Sequence, residues 1–130
     1  MDIKKIVDYW IHGSEEDYKT AQALFSGNRY THALFFCHLT IEKILKGLVV
    51  KKSHTHSPLE HNLLQLAKLS GLEFSTEQLE RLAEINTFNI RGRYDDYRFG
   101  FYKRATKSYT EEYFSKTKDL YTWLKKQITK

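Results

Sequence analysis

Between Tyr30 and about Lys51 the chain has no proline and a single glycine, Gly47. Over the same stretch Ala33, Leu34, Phe35, Phe36, Cys37, Leu39, Ile41, Ile44, Leu45, Leu48, Val49 and Val50 put apolar side chains on more than one face of a helix. So wide an arc predicts a central helix of ~30 Å, packed between neighbours in a bundle or covered in part by a second subunit.

The rest of the chain must supply those neighbours, and its punctuation says how. One proline and six glycines in 130 residues are too few turn formers for a sandwich of short strands. Apolar residues at Ile6, Val7, Trp10, Ile11, Tyr18, Ala21, Leu24 and Phe25 predict a first helix from Ile3 that ends at Gly27-Asn28. Gly13-Ser14 within it reads either as a restart with acidic residues behind it or as a tolerated weak spot. A loop holding Pro58 leads to a short helix from about His61 to Ser70, closed by Gly71, and Ser75-Thr76-Glu77-Gln78 is a capping box that opens a fourth helix fading near Phe88-Asn89. A last amphipathic helix runs from about Ser108 to Ile128. The expected architecture is all-α, an up-and-down bundle of about five helices in one domain over residues 1–130.

Cys37 is the only cysteine, so no internal disulfide is possible, and no signal-peptide or membrane-length apolar stretch is present. A cytoplasmic location without membrane contact is expected. The net charge of +5 is concentrated: residues 103–130 hold eight Lys/Arg against three Asp/Glu, and the remainder is balanced. That excess suits an acidic partner, and it equally suits a solvated helix face.

Residues 91–104, RGRYDDYRFGFYKR, contain five basic and five aromatic residues with two aspartates. Guanidinium groups grip phosphates through forked hydrogen bonds and flat rings stack on bases, so this mixture suits a nucleotide or single-stranded RNA. The plainer alternative has the rings anchoring a loop while Asp95 and Asp96 pair with Arg91, Arg93 or Arg98.

The run Asn89-Ile90-Arg91-Gly92-Arg93-Tyr94-Asp95-Asp96-Tyr97 resembles the arginine-tyrosine segment after the fourth helix of HEPN domains, the higher eukaryote and prokaryote nucleotide-binding family. Phe36-Cys37-His38-Leu39 followed by Glu42-Lys43-Ile44-Leu45-Lys46-Gly47-Leu48 is similar to that family's glutamate-lysine-x-x-lysine helix, and Pro58 with His61-Asn62-Leu63 resembles its entry to the third helix. The resemblance implies a homodimeric bundle that binds nucleotides or RNA, often beside a minimal nucleotidyltransferase in a toxin-antitoxin pair. It marks Arg91, Arg93, Tyr94, Tyr97, Arg98, Lys43, Lys46, His38 and Glu42 as nucleotide- or RNA-binding candidates. Members that are ribonucleases carry an arginine followed after four to six residues by histidine. Here no histidine follows His61, so catalysis is not carried over, no catalytic residue or cofactor is assigned, and binding is the expected role. A ribonuclease using His38 with Glu42 and an Arg91 phosphate clamp is one alternative; a bundle that only contacts another protein is the other.

Glu42 and Lys46 stand four apart, as in an exposed ion pair worth ~0.2–0.5 kcal/mol. His38, four residues earlier, extends them into a polar row that can instead face a groove. His54, His56 and His61 lack an evident fourth metal ligand, so no metal is assigned. Cys37, among apolar neighbours, reads as a buried thiol.

Overall fold

The computed structural model describes residues 2–89 and 95–130, and the side chains of all of these except 95–99. Among the described residues six helices follow one another: α1 (Ile3–Ser26), α2 (Tyr30–Ser53), α3 (Leu63–Ser70), α4 (Thr76–Asn86), α5 (Asp95–Arg104) and α6 (Lys107–Ile128). Among the described residues there is no strand. The helix beyond the expected five is α5, which lies inside the basic-aromatic stretch. Its apolar and charged residues alternate without a helical stripe, so periodicity does not reveal it.

The long second helix is the centre of the bundle. It packs against α1 over the largest helix-helix contact and against α6, α3 and α4 on its other sides. Its apolar arc is therefore covered within one chain: Leu34, Ile41, Ile44 and Leu45 are wholly buried. Gly47 makes part of this approach possible. A Cβ there would lie 2.8 Å from Ile128 Cδ1 and 3.2 Å from Trp10 Cβ, closer than packed carbons tolerate.

Local signals set the ends. Asp2 caps α1 by accepting from Lys5 N at 3.2 Å. The helix then runs unbroken through Gly13-Ser14, where the Ser14 hydroxyl donates back to Ile11 O at 2.7 Å and lies 2.9 Å from the Tyr121 hydroxyl of α6. Asn62 caps α3, Gly71 ends it at φ 74°, and the Ser75–Gln78 capping box opens α4. At the far end Lys51 donates to the carbonyls of Ile128 and Lys130, at 2.8 and 2.5 Å, and so holds the last turn of α6 to α2. No helix among the described residues is long and apolar enough to cross a membrane.

Candidate functional site

The four-residue spacing of His38, Glu42 and Lys46 places all three on one face of α2. That face looks into the protein. Their side chains are 0%, 5% and 7% exposed, so the expected exposed Glu42–Lys46 pair is instead a buried one. Glu42 Oε2 stands 3.1 Å from Lys46 Nζ and 2.9 Å from His61 Nδ1, while Oε1 is 3.5 Å from His38 Nδ1. One carboxylate thus gathers a lysine and two imidazoles. The arrangement answers the cost of removing a carboxylate from water, which is several kcal/mol unless cations and hydrogen bonds replace the hydration.

Three elements hold this row in place. From α1, Trp10 lays its indole 5.4 Å from Lys46 Nζ, in the range of a cation–π contact. The segment before α3 carries His61. There Glu60 accepts from the backbone N–H groups of His61 and Asn62, at 3.2 and 2.9 Å, and Asn62 caps the helix. Asn86 at the end of α4 accepts from Leu63 N at 2.8 Å, tying α4 to the same point. His61 is thereby fixed with Nδ1 on the buried carboxylate and its ring about half exposed. Drawn as Nδ1–H donating to Glu42, the ring leaves Nε2 as its acceptor, the arrangement that lets an imidazole handle protons.

The other expected site residues separate from this row. Lys43, one position on, is turned toward α1, where Nζ pairs with Asp17 Oδ2 at 2.8 Å and the stem lies on Gly13. Arg91, Arg93 and Tyr94 lie outside the described residues. Tyr97 and Arg98 belong to α5, and their side chains are likewise outside the description.

The end of the basic-aromatic stretch is described, and it is structural. The Arg104 guanidinium is 5.1 Å from the Phe101 ring, 5.6 Å from Tyr109 and 5.9 Å from Phe88, and it donates to Thr87 Oγ1 at 2.9 Å. Tyr109 donates to Glu84 in the same cluster. Burial and that carboxylate push the Tyr109 phenol far above its usual range. The last turn of α5 is thus bolted to α4 and α6 by stacked rings and one cation.

His54 closes α2 in a left-handed conformation, φ 60°, His56 lies on the loop beyond it, and His61 is held on Glu42. Among the described residues no group of three or more His, Cys, Asp or Glu is placed to hold a metal. Burial pushes the Cys37 thiol up to about 12, which makes it an inert core group.

Two participants escaped the sequence reading. His61 was legible only as part of the proline-histidine segment, because its partner is 19 residues away. Trp10 fits the ordinary apolar stripe of α1, and nothing in its spacing distinguishes a ring beneath a lysine from core.

The fold and this row define the class: an all-α up-and-down bundle with a buried acid-base cluster on its central helix. The HEPN domain model matches residues 7–127, and the chain belongs to the HEPN family. TT1696 from Thermus thermophilus is similar in fold, with a TM-score of 0.76 over 92% of this chain and 96% of that one at 19% identity. ST0689, described as an archaeal HEPN homologue, superposes with a TM-score of 0.72 over 94% and 97% at 22% identity. No curated protein matches the chain.

Proposed function

We propose that this HEPN protein is a nucleotide- or RNA-binding module of one domain over residues 1–130. In this reading Arg91, Arg93, Tyr94, Tyr97 and Arg98 grip phosphate and base, and His38, Glu42, Lys43 and Lys46 belong to the same binding set. The module works as a cytoplasmic homodimer with a minimal nucleotidyltransferase partner in a toxin-antitoxin-like system. The observation that carries the reading is the buried Glu42. A carboxyl group kept in the interior with Lys46 and His61 around it, and with one imidazole reaching the surface, is an expensive arrangement for a helix that needs only apolar packing. Family membership and the basic-aromatic run after α4 support a phosphate-bearing ligand.

The test is titration of a labelled short single-stranded RNA and of ATP at low and high salt, with wild type and the Arg91→Ala/Arg93→Ala double variant. Binding is expected to weaken as salt rises, with a log–log slope of about −0.7 per neutralised phosphate, and to disappear in the variant. Equal affinity in the two proteins rejects the assignment. Light scattering of the protein alone and with the neighbouring gene product checks the dimer and the partner.

A second reading has one specific observation behind it. The His61 imidazole, held by Glu42 at 2.9 Å, is a carboxylate-oriented histidine with one edge outside, suited to proton transfer on an RNA 2′-hydroxyl. His38 is wholly buried and does not fit that role. Cleavage of a mixed RNA substrate by wild type but not by His61→Ala supports this reading; intact RNA at saturating protein removes it.

A further inference from the structure

A groove of about 420 Å³ opens between the first turns of α1 and the loop joining α2 to α3. Its volume lies within the roughly 300–1,000 Å³ typical of small-molecule sites. Lys5, Ile6, Tyr9 and Trp10 form one wall and His56 and Ser57 the other. The α1 wall follows from helical spacing, since Lys5 and Tyr9 are four apart, as are Ile6 and Trp10, so a cation lines up with one ring and an aliphatic with the other.

Three features make this groove more than a surface crease. Tyr9 leaves 68% of its area exposed while its ring meets Trp10 edge to face at 5.2 Å, so a flat apolar surface stands open and braced. Among the described residues none that lines the groove is a carboxylate, whereas Lys5, His56 and Ser57 all offer donors. Trp10 also connects the groove to the buried row, because its ring borders the groove and lies against Lys46.

We propose that this groove binds a nucleoside phosphate, with the base against Tyr9 and Trp10 and the phosphate held by Lys5, His56 and Ser57. A free mononucleotide and one nucleotide of an RNA strand share that chemistry. The choice of ligand class rests on the binding role proposed above; the groove and its donors do not. An aromatic platform supplies about 1–3 kcal/mol per stacked base and is indifferent to sequence, so the groove holds any base and selects for the phosphate.

The test uses intrinsic fluorescence. The chain has two tryptophans, Trp10 and Trp123, so Trp123→Phe leaves emission from Trp10 alone. AMP is expected to quench it saturably. Adenosine and inorganic phosphate should each bind at least ten-fold more weakly, because each lacks half of the recognised group. Tyr9→Ala and Lys5→Ala should each raise the AMP Kd at least ten-fold with little change in melting temperature, both side chains being exposed. A pentanucleotide RNA competing for the same quench identifies a strand as the source; AMP without competition identifies a free nucleotide.

Absence of saturable quenching, or an AMP Kd unchanged by Tyr9→Ala, overturns the groove. Should RNA still bind through Arg91 and Arg93 in that case, the functional reading stands without it. Saturable AMP binding at Trp10 together with no RNA binding anywhere keeps the groove and removes RNA from the proposed function.

Discussion

The molecule handles positive charge beside aromatic rings in two opposite ways. Around Glu42 the lysine is inside, and a carboxylate is its counter-ion: Lys46 is buried, the buried His38 imidazole stands on the same carboxylate, and Trp10 only flanks the lysine. At the junction of α4, α5 and α6 the Arg104 side chain is about two-fifths exposed, and rings surround it on several sides while Glu84 stands 3.9 Å away. The first arrangement is a balance of desolvated charges, in which losing one member strands the others. The second is packing in which each contact adds a little and none depends on the rest.

The largest effect expected from that difference is at Glu42. Glu42→Ala removes the carboxylate, leaving Lys46 without its counter-ion and two imidazoles without their carboxylate partner, a loss of about 3–5 kcal/mol in urea denaturation. Replacing both partners, Glu42→Leu with Lys46→Met, should lose less than the single variant, because no charge is stranded. A single-variant loss under about 1 kcal/mol would place the row in the surface-pair regime and break the contrast.

Gly47→Ala comes next, since it pushes the same region mechanically without altering charge. The added methyl meets Ile128 and the Trp10 Cβ, and overpacking of this kind costs about 1–3 kcal/mol. It should also shift Trp10 emission, because the ring is moved against Lys46. A stable variant with unchanged emission would show that α1 is free to slide on α2.

Arg104→Ala should cost less than either, about 0.5–2 kcal/mol of cation–π and packing energy. The Glu84 contribution is small at that distance and exposure. Arg104→Lys should recover only part of the loss, since an ammonium does not lie flat between rings. Full recovery by lysine would mean that charge, not stacking, holds α5.

How much of this was legible differs between the two regions for physical reasons. The helices announced themselves through apolar spacing and through caps made by neighbours in sequence, so Ser75–Gln78 and Gly71 could be read directly. The His38–Glu42–Lys46 row was legible as a spacing, but spacing reports which residues share a face and not whether that face is wet. Burial there is decided by Trp10 and His61, which arrive from other elements. The aromatic run was legible as a composition, yet Arg104 proved to be a packing residue because Phe88 and Tyr109 come from outside the run. Lys43 carries the same lesson: it follows Glu42 in the motif, and one residue of helix rotation turns it to Asp17.

A third kind of polar contact, with no ion at all, supplies the smallest effect and fixes the scale of the other two. Tyr121 on α6 is buried and shares a 2.9 Å hydrogen bond with Ser14 on α1. Tyr121→Phe should cost about 1 kcal/mol at neutral pH, the net worth of such a bond. Its pH dependence carries a definite sign. Burial pushes the Tyr121 phenol up to about 12 from 10.0, so between those values the folded protein keeps a proton that the unfolded chain releases. Stability therefore falls as pH rises through that window, having been fully present below about 10. Phenylalanine has no proton to lose, so the deficit of Tyr121→Phe relative to wild type should narrow between about pH 10 and 12. Parallel stability curves across that range would show that the hydroxyl is solvated and that α1 and α6 meet through their rings alone.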